Sequence, residues 1–104
     1  MINVRRSHLD MVKQILAEHV PECEVRVFGS RIKGTTKRYA DLDLVIVGKG
    51  RMERNQLDKL AESFAESDLP FRVDVLDWFA ISDDFRKLID EKYEIIQKPN
   101  CEIA

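Results

Sequence analysis

The sequence predicts an α/β (α+β) domain, a small β-sheet packed with helices. Three observations carry that reading. Hydrophobic spacing alternates between helical and strand periods, in the order α, β, short α, β, α, β, α, β. The 104 residues suit one domain, and 44% of them are apolar, enough for a real core. No internal repeat or low-complexity linker interrupts the pattern.

The first helix is expected to start at Ser7, which can cap it with Asp10 three residues on. Leu9, Val12, Leu16 and Val20, with Met11 and Ile15 beside them, form its apolar stripe, and Pro21 ends it. Cys23, Val25 and Val27 alternate with Glu24, Arg26 and Phe28, which predicts a strand. Gly29-Ser30 follows, then a short helical segment stopped by Gly34 and a polar connection over 35–40. Asp41 to Val47 reads as a central strand, apolar on both faces beyond its carboxylates. After Gly48-Lys49-Gly50, Leu57, Leu60, Ala61, Phe64 and Ala65 give a strongly amphipathic helix, closed by Leu69-Pro70. Phe71 to Leu76 alternates as a third strand. Ser82 caps a short helix with Phe85, Leu88 and Ile89 inward. Tyr93 to Gln97 predicts a last strand. The domain is expected over 1–98, with 99–104 as a flexible C-terminal tail.

Composition excludes several classes. The net charge of −2 argues against a dedicated nucleic-acid binder, which usually shows a strongly basic face. No apolar run is long enough to cross a membrane, and the N-terminus lacks a secretory pattern. Cys23 and Cys101 are too few for a disulfide framework and lack metal-ligand spacing. Cys23 reads as a buried small hydrophobe. A cytoplasmic protein is expected.

The chemistry concentrates between Phe28 and Val47. Side chains two apart on a strand share a face, so Asp41 and Asp43 point the same way. Two carboxylates at about 6 Å repel by roughly 3 kcal/mol at an effective dielectric of ~20. A cation between them relieves that repulsion, and hard oxygen ligands suit Mg²⁺. An Asp-x-Asp pair alone fits a solvated strand end equally well. Asp74 shifts the balance, because a charge in mid-strand needs a partner, a metal or water. If its strand lies beside that of Asp41 and Asp43, three carboxylates converge, enough to hold two Mg²⁺ ions around a triphosphate and an attacking hydroxyl. The alternative for Asp74 is an ion pair with Arg72. Asp77 is expected past the strand, in a turn or cap role. Gly29 permits a positive φ or close approach of a phosphate, and Ser30 adds a hydroxyl donor. Arg31, Lys33, Lys37 and Arg38 could neutralise phosphate charge, or form a solvated basic loop. His8 and His19 have no metal-ligand spacing. Trp78, Phe79 and Phe71 read as core or as a partner surface.

Gly29-Ser30, ten intervening residues, Asp41-x-Asp43 and a distal strand Asp74 resemble the active-site pattern of the DNA polymerase β-like nucleotidyltransferase superfamily. The local sequence is closer still to the minimal nucleotidyltransferases: Phe28-Gly29-Ser30-Arg31, Gly34, Asp41-Leu42-Asp43-Leu44, and Glu66 to Pro70 through Val73 to Trp78. The resemblance spans nearly the whole chain. One departure is Ala40, where a Ser often precedes the first Asp; it removes a hydroxyl but no metal ligand. The resemblance implies a mixed sheet flanked by helices. It implies that Asp41, Asp43 and Asp74 are catalytic and hold Mg²⁺, with two ions expected. Gly29 and Ser30 would bind the phosphates, with Arg31 and Lys33 beside them. A hydroxyl would attack the α-phosphate of ATP, releasing pyrophosphate.

Larger members of the superfamily carry a further helical domain that helps hold the acceptor. The sequence ends at Ala104 without one, so the expectation is a second polypeptide and a hetero-oligomer. In the family that partner is typically a small helical-bundle protein encoded nearby. Many such pairs resemble HEPN–nucleotidyltransferase toxin–antitoxin modules, in which the minimal enzyme is the antitoxin and adenylylates a tyrosine of the HEPN toxin. Two other readings stay open. The chain could be the catalytic subunit of a two-component enzyme modifying a small molecule. It could also be a non-catalytic module that neutralises its partner by contact, although contact alone does not require three aspartates.

Overall fold

The computed structural model describes residues 5–29 and 41–99. The expected short helix before Gly34, the connection over 35–40 and residues 100–104 of the expected tail lie outside the described residues. Seven elements follow in order: α1 (Arg6–His19), β1 (Glu24–Phe28), β2 (Leu42–Val47), α2 (Arg54–Glu66), β3 (Val73–Asp77), α3 (Asp83–Glu91) and β4 (Glu94–Gln97). The strands form one mixed sheet in the order β3-β2-β1-β4. β1 is antiparallel to β2 and to β4, whereas β2 and β3 are parallel, joined by a crossover through α2.

The main core lies on one face of the sheet. Val25 and Val27 of β1, Leu42, Leu44 and Ile46 of β2, Val73 of β3 and Ile96 of β4 face Val12 and Leu16 of α1 and Leu60 and Phe64 of α2. Full burial of each such aliphatic side chain contributes about 1.5–3 kcal/mol. α1 begins one residue before Ser7, with Arg5 at its N-cap and no side-chain cap. Ser7 therefore sits inside the first turn, because the register is set by the buried stripe rather than by the cap. Its other end is tied down by Gln97, whose Nε2 donates to the carbonyls of Val20 (2.7 Å) and Cys23 (3.0 Å). Cys23 is buried just before β1, and burial pushes its thiol up to about 11.

α3 covers the opposite face. Arg26 and Phe28 alternate with the core valines of β1 and so point away from α1 and α2. Phe28 meets Phe85 edge to face at 5.8 Å between ring centroids. The Arg26 guanidinium lies over Trp78 (4.9 Å) and Tyr93 (4.5 Å) and pairs with Glu24 and Asp90. Ser82 caps α3 as expected, accepting from the Phe85 N–H at 3.2 Å. Two expectations fail on the helices. Leu88 is 65% exposed, so α3 buries Ile89 alone among its residues. Ala61 and Ala65 of α2 are exposed, because that helix turns only Leu60 and Phe64 fully inward.

Candidate active site

The parallel register of β2 and β3 sets Asp43 directly beside Asp74. The two residues are remote in sequence, and only this strand pairing brings them together. Asp41 precedes β2 by one residue and is exposed, so it stands at the strand's mouth rather than in its ladder. Burial raises the Asp43 pKa above its ordinary value, and the negative charges of Asp74 and then Asp41 raise it further. The pairing of β2 with β3 thus meets the condition on which the sequence reading set Asp74 beside Asp43.

Gly29 closes the site from the other side. β1 pairs Phe28 with Asp43, which carries the chain at Gly29 past the Asp43 carboxylate. The Gly29 φ of 87° lies in the left-handed region that favours glycine. A Cβ built there would overlap Asp43 Oδ2. Two requirements, backbone sign and space, thus converge on one residue. Ser30, Arg31, Lys33, Lys37 and Arg38, the other expected phosphate contacts, lie outside the described residues.

Asp74 makes the ion pair that was the alternative to a metal role. Arg72 Nε stands 3.1 Å from Asp74 Oδ1, with the Arg72 side chain 76% exposed. An ion pair that exposed is weak and exchangeable. Among the described residues, no three His, Cys, Asp or Glu side chains are already gathered to hold a metal ion. The donor chemistry nevertheless fits Mg²⁺: hard oxygens, mutually repelling, with no described group donating a hydrogen bond to Asp43.

Asp77 corrects the sequence reading. It is the last residue of β3 rather than a residue beyond it, and it is 4% exposed. Its carboxylate accepts from the N–H groups of Met52 (2.9 Å) and Phe79 (3.1 Å), so it pins the β2–α2 loop to the turn after β3. Its role in that turn is the expected one. The Arg26–Trp78–Tyr93 stack was not foreseen, because those residues come from separate segments. Arg86 adds to it, donating from Nε to the Trp78 carbonyl at 2.8 Å. Trp78 therefore packs against two guanidinium groups, and Phe71 belongs to the core. The histidines hold structure: His19 Nε2 lies 2.8 Å from Ser63 Oγ, joining α1 to α2, and His8 meets Phe71 edge to face.

Comparison with known proteins identifies the family and the fold. A family model described as "Nucleotidyltransferase domain" matches residues 9–98. A Haemophilus influenzae protein named as a probable protein adenylyltransferase, MntA, is 45% identical over 97 residues, covering 93% of this chain and 85% of that protein. Among solved structures, a toxin–antitoxin crystallised with AMP-PNP superposes with a TM-score of 0.75 at 20% identity, over 88% of this chain and 74% of that one. A tri-AMPylated Shewanella oneidensis HEPN toxin in complex with its MNT antitoxin gives a TM-score of 0.69 at 18% identity, over 89% of this chain and 71% of that one. The mixed sheet with its helices is thus the fold of these proteins.

Proposed function

Because the chain belongs to the nucleotidyltransferase domain family and is a nucleotidyltransferase, we propose that it transfers AMP from ATP to a tyrosine hydroxyl of a HEPN-type toxin and so acts as its antitoxin. The carrying observation is the register that sets Asp43 beside Asp74, with Asp41 at the strand's mouth and Gly29 against Asp43. The 45% identical relative named as an adenylyltransferase supports the reaction class. The toxin–antitoxin complexes of the same fold support a hetero-oligomer with a toxin, and we take that partner to be a small helical bundle.

Asp41, Asp43 and Asp74 would hold Mg²⁺. Bound there, the ions would offset phosphate charge and ease ionisation of the acceptor hydroxyl. Gly29 lets the backbone approach the β- and γ-phosphates, with Ser30, Arg31 and Lys33 as further phosphate contacts. The hydroxyl oxygen forms a bond to the α-phosphorus in line with the leaving group. The bond from that phosphorus to the bridging oxygen breaks, and pyrophosphate departs. Asp74 accepts the hydroxyl proton, its exposed pair with Arg72 giving way as the acceptor enters. ATP as donor suits a cytoplasmic enzyme.

Incubation with the partner and α-labelled ATP should label a partner tyrosine, and Asp41→Asn with Asp43→Asn should abolish the label. Label arriving from the γ-position would mean a kinase and would overturn the reading.

A further inference from the structure

Among the described residues, the edge of the sheet nearest the aspartates has no further strand. β3 is an outer strand. The Arg72 carbonyl accepts from the Leu42 N–H (2.9 Å), and the Trp78 N–H donates to the Ile46 carbonyl (3.0 Å). Even-numbered residues of this stretch therefore turn their backbone groups to β2. By alternation, Val73 and Val75 turn theirs to the free edge, where another strand can pair. A groove of about 490 Å³ runs along this edge. Ala61 and Ala65 of α2 form one wall, Leu69 and Phe71 lie along it, and Asp74 stands at its lip. The small alanines are what leave this space beside the strand.

The helix beside the groove is acidic on its outer side. Asp58, Glu62 and Glu66 recur every fourth residue along α2, all exposed, and exposed Asp68 follows the helix end. None of the four pairs with a cation of the described residues. Like charges at this spacing destabilise a helix. An incoming cationic chain would offset that cost, whereas a second copy of this chain would bring the same acidic ridge and be repelled.

We propose that this groove receives an extended, basic segment of the acceptor protein, which adds to β3 as a fifth strand and delivers its hydroxyl to Asp74. The proposal rests on the reading of the chain as a protein-modifying nucleotidyltransferase. Edge backbone groups give the segment its direction, the apolar wall takes alternate side chains, and the acidic ridge selects lysine and arginine. Asp74 belongs to both groove and catalytic centre, so a segment seated here brings its side chains to the proton acceptor.

A fluorescein-labelled octapeptide of alternating valine and lysine with one tyrosine is the probe, and anisotropy the readout. Wild-type protein should bind it, and Ala65→Arg, which fills the groove and adds a positive charge, should weaken binding by about tenfold or more. Glu62→Gln with Glu66→Gln should weaken it severalfold and flatten its salt dependence. The same peptide with glutamate for lysine should not bind. Circular dichroism establishes that each variant is folded. Equal binding to wild type and Ala65→Arg, equal binding of both peptides, or no binding overturns the proposal. So does a wild-type dimer that Ala65→Arg makes monomeric, since the occupant would then be a second copy. Asp43→Asn, inactive in transfer, should still bind the peptide. Binding without any transfer by wild type would therefore defeat the functional reading alone. Partner labelling unchanged in Ala65→Arg would defeat the groove alone.

Discussion

Under the proposed function, Asp43 is the residue at which activity and stability would oppose one another. Its folded-state pKa is raised by burial and by Asp74 and Asp41, so its charged form disfavours the fold. The stability tied to its protonation is complete below the unfolded value of 3.8 and is lost as pH rises through the raised folded value. Asp43→Asn, neutral at every pH, should therefore melt above wild type at neutral pH while losing transfer. The gap should close as pH falls below 3.8, where Asp43 is protonated in the folded and the unfolded chain alike. Thermal melts across that range check both sign and window; a variant melting below wild type at neutral pH would mean the carboxylate has a stabilising partner. Gly29 imposes the opposite cost. Gly29→Ala should lose about 1–2 kcal/mol to backbone conformation alone, or roughly 4–8 °C of Tm per kcal/mol in a domain of this size. The overlap with Asp43 Oδ2 adds to that loss. In a double-mutant cycle, adding Asp43→Ala should recover the steric part and leave the backbone part, seen as incomplete recovery of Tm.

Among the elements, α3 depends most on one distant side chain. Arg26 of β1 is 16% exposed and lies against Trp78 and Tyr93 while pairing with Asp90 of α3. Arg26→Ala should cost about 2 kcal/mol or more, since desolvated cation–aromatic contacts are worth that much. The emission of the single tryptophan should shift to the red as Trp78 gains water, and α3 should be cut sooner by protease. Unchanged emission would place the strength of this face in Phe28, Phe85 and Ile89 instead. Such links explain what the sequence could show about the elements. Helices and strands were legible because Val12, Leu16, Leu60, Phe64 and the valines of β1 carry their periods in the chain itself. The sequence sets Asp77 one residue too far along because the N–H donors that satisfy its buried carboxylate, those of Met52 and Phe79, come from loops that periodicity does not describe. Leu88 and the alanines of α2 were misread because apolar spacing defines a face, not how much of it the neighbouring elements reach. At the site, Gly29 and the three aspartates were legible as residue types. The Asp43–Asp74 adjacency needed the parallel pairing of β2 with β3, which the sequence offered only as a condition.

At the scale of the whole molecule, the fold places apolar burial and charge strain on different parts of one sheet. α1 and α2 seal one face, while the entry ends of β2 and β3 keep carboxylates side by side. A core of this kind can tolerate the repulsion because β2 is central, held by β1 on one side and β3 on the other. Under the proposed function, that strain would report ligand. If a cation binds between Asp41, Asp43 and Asp74 as proposed, it would remove the repulsion that raises the Asp43 pKa and would bind the folded chain alone. Beyond saturation, each tenfold excess over the dissociation constant adds about 1.4 kcal/mol of stability. Millimolar MgCl₂ should therefore raise the Tm of wild type and flatten its fall with rising pH, since the ionised form of Asp43 is no longer penalised. The same addition should leave Asp43→Asn nearly unmoved, although that variant starts from the higher Tm. NaCl at matched ionic strength separates screening from binding: if it raises Tm as far as MgCl₂ does, the carboxylates are merely screened and do not form a metal site. A rise specific to MgCl₂, absent in Asp43→Asn, ties the destabilised strand ends to the metal through a measurement independent of any transfer reaction.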